Sequence, residues 1–262
     1  MSDTEHPAHA APHAAPHAAP HAAPPAGHHR ASALPQREHR LHVTRSARIK
    51  SLGDPATARE VWVVLHGYGQ LAGDFLNPFQ AVAGPNRAVL APEALNRFYT
   101  GKESGGGHPG RPVGATWMTR EDREAEIGDY VAYLDAVVTQ LAEGRPVTAL
   151  GFSQGVPTLL RWVTMGATAA ARVIVWAGEI PADLDLVATR ARFPAHGIDV
   201  AYGTRDEYLP WINLDAMRTR LAEASLPVRE FSFDGGHRLD RRTLLALAGD
   251  VGDNGHAGDA GR

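Results

Sequence analysis

A serine hydroxyl becomes a working nucleophile only when a base can take its proton and a carboxylate can hold that base in place. This chain offers such a serine in Gly151-Phe152-Ser153-Gln154-Gly155. Ahead of it, Pro146-Val147-Thr148-Ala149-Leu150 is a short apolar run that reads as a buried strand, and behind it Val156 to Met165 is an apolar-rich helix candidate. Pro157 falls in the first turn of that helix, where a missing N–H costs little because those amides have no partner within the helix. A serine at so tight a strand-to-helix turn takes strained backbone angles and projects its hydroxyl from the sheet edge. Glycines two residues before and after it let the neighbouring backbone pass without a Cβ clash.

The base is sought downstream. Three histidines follow Ser153: His196, His237 and His256. His256 sits in the Gly/Asp-rich C-terminus, where nothing fixes a base. His196 precedes the run Ile198-Asp199-Val200-Ala201-Tyr202 and so lies at the entry side of a strand, opposite a site built at the strands' C-terminal ends. His237 follows an alternating strand and a Gly235-Gly236 turn, which brings it to the correct edge. For the carboxylate, Asp206 leaves the preceding strand at that same edge, with Glu207 and Asp199 as competitors and Asp234 less suited because it shares the histidine's own loop.

Acyl transfer also needs two donors for the oxyanion. One is expected from the Gln154 backbone N–H. The other is expected from the turn His66-Gly67-Tyr68-Gly69-Gln70, which follows the apolar strand Glu60 to Leu65, with Tyr68 as the donor. Neither a Gly-x-Gly-x-x-Gly run nor a Gly-Lys-Ser/Thr loop accompanies that turn, so a phosphate-binding reading fails.

These residues need a scaffold that collects strand ends at one edge, and the remaining pattern supplies one. Strands are expected near 60–66, 87–91, 146–151, 172–177, 198–203 and 228–233, alternating with helices near 74–83, 120–143, 154–165, 210–225 and 239–248. That alternation predicts an α/β fold with a mostly parallel sheet. His39 to Ile49 reads as an antiparallel edge element. In the 120–143 helix Ile127, Tyr130, Val131, Leu134, Val137, Val138 and Leu141 share one face, Thr119 and Asp122 suggest a capping box, and Gly144 with Pro146 ends it. The segment from Glu93 to Trp117 has little periodicity and reads as a long loop over the site. Phe75, Trp117, Met118 and Leu209 are candidate pocket walls, although core packing suits each of them as well.

Taken together, Leu65-His66-Gly67-Tyr68-Gly69, Gly151-Phe152-Ser153-Gln154-Gly155, Gly203-Thr204-Arg205-Asp206 and Gly235-Gly236-His237 resemble the phospholipase/carboxylesterase branch of the α/β-hydrolases, which includes acyl-protein thioesterases. The resemblance spans roughly residues 40 to 248. It implies an α/β-hydrolase fold with helices on both faces of a twisted sheet and little or no cap domain. It also implies a Ser153, Asp206, His237 triad that uses no cofactor and no metal, acting on small or short-acyl esters, with an acyl thioesterase or a lysophospholipase as the alternative that uses the same machinery. Ala115-Thr116-Trp117-Met118 is similar to the family's Ser-Trp-Phe-Asp segment. Val156 and Pro157 stand where a third glycine is common, which makes a small bacterial-type carboxylesterase a closer fit than a eukaryotic thioesterase.

Composition is consistent with one enzyme domain. The 262 residues are 44% hydrophobic, enough for one sizeable core. A net charge of −3 gives no electrostatic case for a nucleic-acid partner. There are no cysteines, so neither disulfides nor thiolate catalysis arise. No apolar run is long enough to span a membrane, and no secretory signal is recognised, so a cytoplasmic location is expected. Oligomeric state is left open. Residues 1–35 form a His/Ala/Pro-rich tail whose prolines at every fourth position forbid a regular helix, residues 36–248 the catalytic domain, and residues 249–262 a Gly/Asp-rich tail. Disorder is expected in both tails. Weak binding of transition metals by the histidine tract is the non-enzymatic alternative.

Overall fold

The structure is a computed structural model that describes residues 34–101 and 110–249. The chain divides into two units, Met1–Thr44 and Arg45–Arg262. In the first unit the described residues, 34–44, are exposed and carry no regular secondary structure. The histidine tract and residues 250–262 lie outside the described residues.

In the second unit a seven-stranded sheet carries the architecture. Its strands are β1 (Ile49–Leu52), β2 (Glu60–Leu65), β3 (Arg87–Pro92), β6 (Val147–Phe152), β7 (Arg172–Trp176), β8 (Ile198–Gly203) and β9 (Val228–Phe233), in the spatial order β1-β3-β2-β6-β7-β8-β9. Only β1 runs antiparallel, against β3. The central strands β6 and β7 are buried along their whole length, as a parallel sheet covered on both faces requires.

Because successive strand residues face opposite ways, β2 feeds two separate cores. Val61, Val63 and Leu65 pack with α2 (Arg123–Val137), α3 (Gly155–Met165) and α5 (Leu214–Glu223). Trp62 and Val64 pack instead with α1 (Ala72–Leu76) and α6 (Arg241–Gly249). Among the described residues, no helix is long and apolar enough to cross a membrane.

Four local expectations are corrected. The antiparallel edge strand is Ile49–Leu52, not His39 to Ile49: Leu41 and Val43 alternate correctly but are 86% and 80% exposed. The segment Glu93 to Trp117 is not all loop. It contains an antiparallel pair, β4 (Asn96–Tyr99) and β5 (Val113–Thr116). The helix expected over 120–143 begins at Arg123 and widens into a π turn over Val138–Ala142. Asp122 enters it with a left-handed φ of 49° and no side-chain cap, while the Thr119 amide is taken by Glu126, so the anticipated capping box does not form. The helix expected over 210–225 is split at Asn213, whose φ of 47° ends α4 (Leu209–Ile212) and whose Oδ1 caps α5 through the Ala216 amide.

Candidate active site

Ser153 occupies the turn between β6 and α3 with φ of +53°, a left-handed conformation that a side chain other than glycine rarely adopts. Such strain persists only where the surroundings over-determine it. Here the Ser153 amide donates to the Trp176 carbonyl of β7 at 2.9 Å, and the Val156 amide donates to the Ser153 carbonyl at 2.9 Å. The flanking glycines are needed for closeness. A Cβ on Gly151 would meet the Gly155 backbone, and one on Gly155 would run into the Leu65 carbonyl of β2.

Asp206 and His237 are brought together by their loops. The Thr204 amide donates to the Phe233 carbonyl at 2.8 Å and the Arg205 amide to the Gly235 carbonyl at 2.9 Å. The loop after β8 is thus laced to the loop after β9, and Asp206 Oδ2 lies 2.8 Å from His237 Nδ1. The Asp206 side chain has no solvent exposure, and its Oδ1 accepts the Tyr208 amide at 2.8 Å. An ionised carboxylate has no proton to give, so Nδ1 is the protonated nitrogen and Nε2 is left as an acceptor. The imidazole is held between the rings of Phe152, at 4.9 Å, and Tyr208, at 4.5 Å.

The competing acids are committed elsewhere. Asp199 is buried at the entry end of β8, bonded to Arg172 at 2.6 Å and to Arg229 at 2.8 Å. Asp234 is exposed and pairs with Arg205 at 3.0 Å. Glu207 is exposed, as is His196.

Ser153 and His237 share the walls of a cleft of about 210 Å³, without a hydrogen bond joining them. Pro157 and Gly178 also line it, and Glu179 is the one carboxylate among its described lining residues. Tyr208, Trp211 and Ile212 close the far side, with Trp211 69% exposed. A larger groove of about 810 Å³ between β9 and α6 contains none of the three residues Ser153, Asp206 and His237.

The turn after β2 lies against the serine. A Cβ on Gly67 would stand 3.1 Å from Ser153 Cβ. In that turn the Gly67 amide donates to Gln70 Oε1 at 2.8 Å and the Gly69 amide to the Ala115 carbonyl at 2.9 Å. The Tyr68 amide between them has no acceptor among the described residues, nor does that of Gln154. The Tyr68 side chain turns outward, 63% exposed, against the Phe98 ring. His66 is fully buried: Nδ1 bonds the Gly67 carbonyl at 2.8 Å, and Nε2 accepts the Ala94 amide at 3.0 Å. Burial pushes its pKa below the ordinary value, with the Gly67 bond and the nearby Glu93 opposing the shift. It is a neutral strut of the turn.

The four anticipated pocket walls sit elsewhere. Phe75 is 3% exposed and packs on His66, Phe79 and Phe152 in the core. Trp117 is 2% exposed and donates from Nε1 to the His66 carbonyl at 2.9 Å. Met118 and Leu209 pack against the core. Of the residues that do line the cleft, Ala177, Gly178, Glu179, Tyr208, Trp211 and Ile212 were unnamed at the level of sequence, and two signals pointed to them. β7 lies between the serine strand and the acid strand, so its exit Ala177-Gly178-Glu179 has to border the site. Trp211, which shares the cleft with Tyr208, follows the acid by five positions in an aromatic-rich stretch.

No family model matches the chain, and no curated protein does. Solved structures do. Esterase PE8 superposes with a TM-score of 0.60 at 21% identity, covering 79% of this chain and 98% of that one. Acyl-protein thioesterase 2 of Zea mays gives 0.58 at 15% identity, covering 79% and 98%. The Bacillus cereus carboxylesterase gives 0.56 at 16% identity, covering 78% and 92%. The chain has the α/β-hydrolase fold.

Proposed function

We propose that this protein is a serine hydrolase of carboxylic esters, with Ser153, His237 and Asp206 as its catalytic residues. The observation that carries this is the imidazole of His237, which is bonded on one side to buried Asp206 and borders on the other the cleft that contains Ser153. The hydroxyl turns toward Nε2 as substrate enters. His237 removes its proton as Ser153 attacks the carbonyl, and Asp206 steadies the imidazolium that forms. The Tyr68 and Gln154 amides receive the oxyanion. His237 then protonates the leaving alcohol, and water, activated by the same base, releases the acid from the acyl-enzyme.

The structural neighbours, an esterase, a thioesterase and a carboxylesterase, support an ester or thioester carbonyl as the target. A cleft of about 210 Å³ favours a short acyl chain or a small alcohol over a long lipid tail. A thioester would use the same groups, so a matched ester and thioester pair decides between them. The decisive test is labelling of the full chain with a fluorophosphonate probe. Stoichiometric modification of Ser153 and loss of p-nitrophenyl butyrate hydrolysis in Ser153→Ala are expected. Unlabelled Ser153, or a Ser153→Ala chain that still hydrolyses the ester, would overturn the proposal.

A further inference from the structure

Oxyanion donors lower a barrier only when they are held still before charge develops. Tyr68 and Gln154 lie on different turns, 86 residues apart in sequence, that touch through Gly67 and Gly155. We propose that β5 and the two residues after it form a single brace for both donors, with Thr116 and the Gln154 side chain as positioning residues. The proposal rests on the hydrolase reading above.

The first half of the brace holds the Tyr68 turn. The Gly69 amide donates to the Ala115 carbonyl at 2.9 Å, and the Ala115 amide donates back to the Gln70 carbonyl at 3.2 Å. Gly114 packs so tightly on this turn that a Cβ there would run into the Gly69 carbonyl. Trp117 Nε1 ties the same strand to the His66 carbonyl. The Tyr68 amide is therefore bracketed by backbone bonded to β5 or to the residues that follow it.

The second half holds the elbow. Gln154 Nε2 donates to Thr116 Oγ1 at 2.9 Å and to the Met118 carbonyl at 3.0 Å, while Oε1 accepts the Trp117 amide at 3.2 Å. Thr116 is 5% exposed, and its hydroxyl donates a hydrogen bond to the Met118 carbonyl at 3.0 Å. Gln154 thus spends both ends of its side chain on the brace and does not line the cleft. Its backbone amide is fixed by a side chain that never meets substrate. Consecutive residues of one strand, Ala115 and Thr116, hold one donor turn each.

The test compares p-nitrophenyl butyrate kinetics for the full chain carrying Gln154→Met, Thr116→Val, Thr116→Ser or both Gln154→Met and Thr116→Val. Gln154→Met keeps the length of the side chain, and Thr116→Val keeps the shape, while each removes the polar atoms. Each is expected to lower kcat about tenfold, less than the loss of an oxyanion donor outright, with KM within about twofold. Thr116→Ser restores the rate, and the double variant is no worse than the poorer single one because both remove the same brace. A substitution that prevents folding leaves the other to decide. Unchanged kcat in a folded variant, or a loss carried by KM, overturns the proposal. If the unsubstituted chain neither hydrolyses the ester nor takes up a fluorophosphonate at Ser153, the hydrolase reading itself has failed and the brace falls with it.

Discussion

Asp206 meets His237 across 31 positions of sequence at 2.8 Å, and its second oxygen is already committed to the Tyr208 amide. That double engagement predicts the outcome of Asp206→Asn. The Tyr208 N–H demands an acceptor, so the new amide turns its oxygen there and its NH2 toward Nδ1. The imidazole then carries its proton on Nε2, where it cannot accept one from Ser153. A fall in kcat of about 10³ to 10⁴ is expected. Ester hydrolysis within tenfold of the unsubstituted rate would show that another acid serves the base.

Asp199 tests the opposite case. It is buried between Arg172 and Arg229 at the far end of β8, and removing a carboxylate from such a cluster leaves uncompensated charge. Asp199→Ala is expected to cost about 3 to 5 kcal/mol in a urea melt. The specific activity of the protein that remains folded should hardly change. A catalytic defect without a stability defect would reverse the roles assigned to the two aspartates.

Glu179 gives the cleft its charge. A carboxylate beside the acyl site repels an anionic substrate, and salt weakens that repulsion. Neutral esters should therefore outperform matched esters that carry a carboxylate. Glu179→Gln is expected to narrow the gap in kcat/KM about three- to tenfold at low ionic strength, mostly through the anionic substrate. An unchanged ratio would remove Glu179 from the specificity of the site.

His66 predicts a pH dependence of stability. Its pKa is lowered in the folded state by burial, so the folded chain binds fewer protons than the unfolded chain below the ordinary histidine value of about 6.5. The stability from neutral His66 is complete above that pH. It falls by about 1.4 kcal/mol per unit as pH drops from 6.5 toward the folded pKa, then levels off. Protonation would also set an N–H against the Ala94 amide. Urea midpoints at pH 7.5 and 5.5 should separate in the unsubstituted chain and converge in His66→Asn. Equal separation in both would exclude His66 as the source.

The parallel strands were legible because strands buried on both faces read as continuous apolar runs, and the elbow because close approach at Gly151 and Gly155 leaves a glycine signature. Ser153, Asp206 and His237 could be placed at one edge because parallel order puts every strand exit on the same side. The pocket walls could not. Phe75 and Trp117 have the bulk and sequence position of wall residues, and only tertiary packing decides that both pack on the buried His66 ring, Trp117 also bonding the His66 carbonyl. Leu41 and Val43 carry a strand's alternation yet stay exposed, because alternation alone does not bury a segment. The Glu93 to Trp117 segment hid two strands because four-residue strands are too short for a period to register.

The lacing of Thr204 and Arg205 to Phe233 and Gly235 has a consequence for motion. β9 is one of the sheet's two edge strands and has a neighbour on one side only, so it is held less tightly than the central strands. When it shifts, the loop carrying His237 takes the loop carrying Asp206 with it. Asp206 and His237 would then move together, while the Ser153 amide stays bonded to the Trp176 carbonyl of β7. Movement at this edge would therefore change the reach from hydroxyl to imidazole and leave the hydrogen bond between Asp206 and His237 intact.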